Sequence, residues 1–162
     1  MPILAIDPGY DRIGIAVIEK NKSGKEHLVF SECFTTSKDD PFVERLGAIG
    51  HRLEELIKEH HPTGLAIENL FFTTNKKTAM RVAEVRGMIL YLAKKHGMTI
   101  REYTPNEIKI AVTGYGKGTK DDIAFMVPKL IAMNDQRRID DEIDAIAVGL
   151  TYFAHEGGGG PV

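Results

Sequence analysis

Two short apolar runs, "PILAID" at residues 2–7 and "GLAIE" at residues 64–68, constrain this chain more than any other feature in it. Each is too short for a stable helix, is bounded by turn residues, and ends in a carboxylate, so each reads as a buried strand with an acid at its exit. Between them, "DDPFVERLGAIGHRLEELIKEHH" sets Phe42, Leu46, Ile49, Leu53, Leu56 and Ile57 at steps of three and four. That spacing predicts an amphipathic helix stopped before Pro62. If the two strands are parallel neighbours, Asp7 and Glu68 emerge at the same edge of the sheet.

The remaining chain supplies further elements in a consistent order. "IGIAVIEK" and "HLVFSECFTT" read as a second and third strand joined by the turn "NKSGKE", which makes the first thirty-five residues an antiparallel meander. A long helix is predicted from about Lys76 to His96, a fifth strand at "MTIREY", helices over "TPNEIKIAVTG" and "TKDDIAFMVPKLI", and a last helix from Asp140 to His155. The expected fold class is therefore α/β: a five-stranded mixed sheet, three antiparallel strands then two parallel, flanked by helices. With 162 residues, one domain over 1–155 is expected, and the Gly-rich end, 156–162, reads as a disordered tail.

Composition excludes some functions. A lone cysteine, Cys33, rules out an internal disulfide and a Cys-rich zinc module and fits a reducing, cytoplasmic setting. No apolar run is long enough to span a bilayer, so no membrane association is expected. The net charge of −2 hides a segregation. Between residues 73 and 120 lie Lys76, Lys77, Arg81, Arg86, Lys94, Lys95, Arg101, Lys109, Lys117 and Lys120, opposed by Glu84, Glu102 and Glu107 alone. A basic middle beside acidic flanks suits a phosphate-binding surface next to a carboxylate site.

The acids carry the chemistry. Glu68 closes a run otherwise fit only for burial, where a carboxylate is costly unless paired, protonated or bound to a cation. The stretch "DDEIDAIAVGL", residues 140–150, opens the last helix with Asp141 and Asp144 three apart, hence on one face. One explanation is capping, since carboxylates favour helix N-termini, and Asp140 is read that way. The other is a metal site, with Asp7, Glu68, Asp141 and Asp144 converging. An all-oxygen set selects hard ions, Mg²⁺ or Mn²⁺, over zinc. "TGYGKGTK" fails the Walker A register, so its Gly-rich loop reads as a flexible phosphate contact carrying Lys117 and Lys120.

Four segments, "IDPGYDRIGIAV", "AIENLFFTTN" with "VRGMI" downstream, "YTPNEIKIAVTGYGKGTKDDIAFMV" and "DEIDAIAVGL", resemble in order and over nearly the whole chain the RuvC-type Holliday junction resolvases of the ribonuclease H-like superfamily. The resemblance implies a ribonuclease H-like fold, with Asp7, Glu68, Asp141 and Asp144 as catalytic acids holding two Mg²⁺ per site, Mn²⁺ substituting. It implies an endodeoxyribonuclease that nicks a four-way DNA junction in symmetrical pairs, leaving 5′-phosphate and 3′-hydroxyl ends, in recombination and repair. Phe71 resembles the aromatic that wedges against unstacked bases, and Lys109 and Lys120 the basic DNA contacts. Lys76, Lys77, Arg86 and Lys117 are further candidates from the basic segment. A homodimer and a RuvAB-type branch-migration partner are implied as well. "DRIGIAV" is also similar to the first strand of YqgF-type RNA-processing nucleases, which keeps that alternative open, together with a junction-binding protein without catalysis.

Overall fold

The computed structural model describes residues 1–69, 76–133 and 138–157. In chain order the elements are β1 (Ile3–Asp7), β2 (Arg12–Lys20), β3 (Glu26–Thr35), α1 (Phe42–His60), β4 (Gly64–Glu68), α2 (Lys76–Lys95), β5 (Thr99–Tyr103), α3 (Pro105–Thr113), α4 (Lys120–Leu130) and α5 (Asp140–Gly157). The strands form one sheet in the order β3-β2-β1-β4-β5, antiparallel across β3-β2-β1 and parallel across β1-β4-β5. The expected mixed sheet is thus present, with β1 and β4 as parallel neighbours. Glu156 and Gly157, expected in the tail, instead continue α5.

The alternation of side chains across each strand divides the core in two. Leu4, Ile6, Ile13, Ile15, Val17, Leu65 and Ile67 point to one face and are covered by α1 and α2 through Ile49, Leu53, Leu56, Val85 and Ile89. Ile3, Ala5, Ala16, Ile18 and Ala66 point to the other face, under α3, α4 and α5. The second face is made largely of small residues, which lets α5 lie close to the sheet. Contact is tightest at glycines: a Cβ on Gly149 of α5 would lie 2.6 Å from Ile18 Cδ1 and 3.0 Å from Ala5 Cβ. On β2, a Cβ on Gly14 would lie 2.0 Å from the main-chain oxygen of Asp141.

The helices around the parallel strand exits start on side-chain caps. Thr104 accepts from Glu107 N–H (3.2 Å) while Glu107 accepts from Thr104 N–H (2.7 Å), with Pro105 in the first turn of α3. Thr119 and Asp122 repeat this exchange at the start of α4, which leaves Lys120 as its first residue. At the start of α5 the capping acid is Glu142 instead of Asp140. Its Oε2 accepts from Ile139 N–H (3.3 Å) and its Oε1 from Ser31 Oγ (2.9 Å), tying the helix to β3.

Candidate active site

Asp7 and Glu68 owe their position to strand period. Asp7 follows Ile3 and Ala5 on the α5 side of β1, and Glu68 follows Ala66 on the same side of β4. The register Ile6↔Ile67 sets the two acids side by side one residue further on. Across the other edge of β1, Asp7 is paired with Gly14, over which the first turn of α5 rests. The absence of a side chain at Gly14 therefore admits Asp141 and Asp144 to the strand ends.

Asp7, Glu68, Asp144 and Lys120 line one cavity of about 150 Å³, walled by Pro105, Ile108, Ile123, Ala147 and Val148. Asp141 stands to the side of it, toward Cys33 and Arg12, yet near enough to act on Asp7. Burial, then the charges of Glu68 and Asp144, and lastly Asp141, push the Asp7 carboxyl up to about 8. Burial likewise raises Glu68, opposed by Lys120 and Lys109. The two carboxyls are close enough to share a proton.

Two cations of the chain rest on the α5 acids. Lys120 Nζ donates to Asp144 Oδ2 at 3.1 Å, which raises the lysine above its ordinary value. Arg12 Nη2 lies 2.9 Å from Asp141 Oδ2, an oxygen that is buried and accepts no hydrogen bond. Among the described residues no three His, Cys, Asp or Glu side chains close to the distances of a metal's ligand shell. The donor chemistry nonetheless suits a hard divalent cation: four carboxylates, of which Asp7 is held protonated by burial and by its acidic neighbours, and a buried Asp141 oxygen that accepts no aligned hydrogen bond.

Two arginines, buried Arg45 and half-buried Arg86, neither of which the sequence assigned to this role, brace the site. Arg45 of α1 donates from Nε to Thr36 Oγ1 (2.9 Å) and from Nη2 to the Tyr10 main-chain oxygen (3.1 Å) and to Asp11, so it pins the turn between Asp7 and Arg12. Arg86, read from sequence as a DNA contact, turns inward. Its guanidinium donates to the Glu68 main-chain oxygen (3.3 Å), to Asn69 Oδ1 (2.8 Å) and to Glu102. Those bonds use the fork that a phosphate would need.

The other expected contacts divide by position. Lys76 and Lys77 are exposed at the start of α2, Lys117 is exposed in the loop before α4, and Lys109 is half-buried on the Glu68 side. Phe71 lies outside the described residues. A glycine alone inside a strand is a known sign of close backbone approach, so Gly14 was detectable from sequence. The pairing of Arg12 with Asp141 carries no such sign.

The family described as crossover junction endodeoxyribonuclease RuvC matches residues 3–152. The chain belongs to the RuvC family. A RuvC of Petrotoga mobilis is 42% identical over 155 residues, covering 96% of this chain and 93% of the relative. A RuvC of Fusobacterium nucleatum is 36% identical over 153 residues, covering 94% and 80% respectively. Among solved structures, the Thermus thermophilus RuvC in complex with a Holliday junction substrate superposes with a TM-score of 0.88 at 30% identity, covering 98% of this chain and 96% of that one. The yeast mitochondrial resolvase Ydc2, at 15% identity and a TM-score of 0.68, shares the fold. Membership makes it an endonuclease of crossover junctions.

Proposed function

We propose that this RuvC-family chain resolves four-way DNA junctions by paired, symmetrical nicks, using Mg²⁺ held by Asp7, Glu68, Asp141 and Asp144. The observation that carries this is the single cavity at the strand exits where Asp7, Glu68 and Asp144 meet under Lys120. Two divalent cations there would supply activation of the attacking water and neutralisation of the leaving oxygen. In the reaction a bond forms from the water oxygen to phosphorus and the bond to the 3′ oxygen breaks. A proton returns to that oxygen, leaving 3′-hydroxyl and 5′-phosphate ends. Lys109, Lys117, Lys120, Lys76 and Lys77 hold the phosphates on either side, and Phe71 stacks on an unpaired base at the junction centre, a contact worth about 1–3 kcal/mol.

Two symmetric strands call for two copies of the site. On α2, Met80 and Tyr91 are 67% and 66% exposed. Eleven residues are about three helical turns, so both lie on one face, which fits a second copy of the chain as its cover. A RuvAB-type branch-migration complex as partner and a cytoplasmic place of action complete the proposal. No helix among the described residues is long and apolar enough to cross a membrane.

The test is cleavage of an end-labelled mobile four-way junction with Mg²⁺ or EDTA, beside duplex DNA, structured RNA and the Asp7→Asn variant. Ligatable nicks at symmetric positions, on the junction alone, with metal and intact Asp7, are expected. Cutting of RNA in preference to the junction, or tight junction binding without cutting under any divalent metal, would overturn the proposal.

A further inference from the structure

The contact between Arg12 and Asp141 has no role in the hydrolysis outlined above. Elsewhere this chain builds aligned arginine pairs: Arg52 donates from Nε and Nη2 to both oxygens of Glu32, at 2.7 and 2.9 Å, in the bidentate fork that makes such pairs strong. Arg12 does not. Its Nη2 approaches Asp141 Oδ2 to 2.9 Å without the alignment of a hydrogen bond, and its side chain is 58% exposed while that of Asp141 is 18% exposed. The carboxylate is fixed by the helix resting on Gly14, whereas the guanidinium is held by charge from the solvent side. Asp141 has acids for neighbours: Asp7 feels its charge, Cys33 feels both it and Glu142, and Asp144 is one turn on. Arg12 is the cation that balances it.

We infer that Arg12 is an exchangeable counter-cation, which occupies Asp141 while the site is free of metal and must leave before a divalent ion can take that carboxylate. The inference rests on the metal-dependent nuclease reading above. An exposed, misaligned pair costs little to separate, so Arg12 keeps the acid cluster from repelling itself without locking it. Its release is nevertheless charged against metal binding: the chain binds a divalent ion more weakly than its acids alone would.

Isothermal titration of the full chain with Mn²⁺, without DNA, tests this. Arg12→Gln is expected to bind Mn²⁺ about threefold to fivefold more tightly than wild type, the scale of an exposed ion pair. Arg12→Thr, which removes the cation with a different stem, should move the affinity the same way. Lys22→Gln removes one positive charge in the distant β2–β3 turn and should leave it within about twofold, as screening at that distance requires. Unchanged or weaker binding by both Arg12 variants, or an equal gain in Lys22→Gln, would overturn the role of Arg12. Absence of Mn²⁺ binding by the wild type would overturn the metal reading itself, and the counter-cation role with it.

Discussion

Gly14→Ala is the sharpest perturbation of the geometry that assembles this site. Gly14 pairs with Asp7 on β1, and an added Cβ would lie 2.0 Å from Asp141 O, 2.8 Å from its carbonyl carbon and 3.3 Å from Ala145 Cβ. Two of the three are backbone atoms, which no rotamer change can move. Reaching the 3.4 Å at which ordinary contact begins demands that the start of α5 lift by about 1.4 Å from β2. Overpacking of this kind costs about 1–3 kcal/mol, or a fall in melting temperature of about 2–12 °C for a chain of this size. Displacing Asp141 and Asp144 by about 1 Å should lower the cleavage rate by about a hundredfold. Urea unfolding and single-turnover cleavage of a four-way junction read the two effects. Gly47→Ala is the matched control, because its Cβ meets nothing within 4 Å on an exposed face of α1 and should stabilise by about 0.5–1 kcal/mol. The reasoning fails if Gly14→Ala stays within about 0.5 kcal/mol of wild type and cuts at the wild-type rate.

In EDTA, stability should fall as pH rises from about 4 to about 8, because folded Asp7 keeps a proton that the unfolded chain releases near 3.8. Below that window both states are protonated and the effect is absent. Asp7→Asn should flatten the slope and exceed wild type in melting temperature at pH 8, and a melting temperature that rises from pH 5.5 to 8.5 in wild type alone would refute it. Arg86→Ala removes the bonds to the Glu68 main chain, Asn69 and Glu102, and is expected to cost about 1–3 kcal/mol in urea unfolding. Its cleavage rate should fall further than its junction affinity, and Arg86→Lys should not restore it because lysine lacks the fork. A loss confined to junction affinity would instead make Arg86 a DNA contact.

Arg45 holds the turn after Asp7, and Arg86 holds the main chain at Glu68, so each strand exit that delivers an acid is clamped by a guanidinium from the opposite layer. The acids repel one another without a counter-cation, and a scaffold left free would relieve that repulsion by splaying the strand ends. Clamping from α1 and α2 keeps the cluster assembled at the expense of its stability, as functional sites commonly do.

Local pattern was sufficient for the elements and for where the acids stand on them. Strand and helix periods, a carboxylate ending each of two buried runs, and Asp141 and Asp144 at helical spacing are properties of neighbouring residues, so they can be read without a fold. The sequence resemblance carried the assignment further, to a family and a chemistry. What remained depended on residues far apart in the chain. Arg86 lies in a basic segment and its composition suggests DNA, but packing beside β4 gives it three acceptors of the protein's own. Glu142 rather than Asp140 caps α5 because Ser31 of β3 stands beside it. Arg12 meets Asp141 across 129 positions of sequence because a glycine on β2 lets a helix rest on the strand. Period and propensity act over a few residues, whereas a charge pairs with whatever the fold brings within a few ångströms, and only tertiary packing decides which group that is.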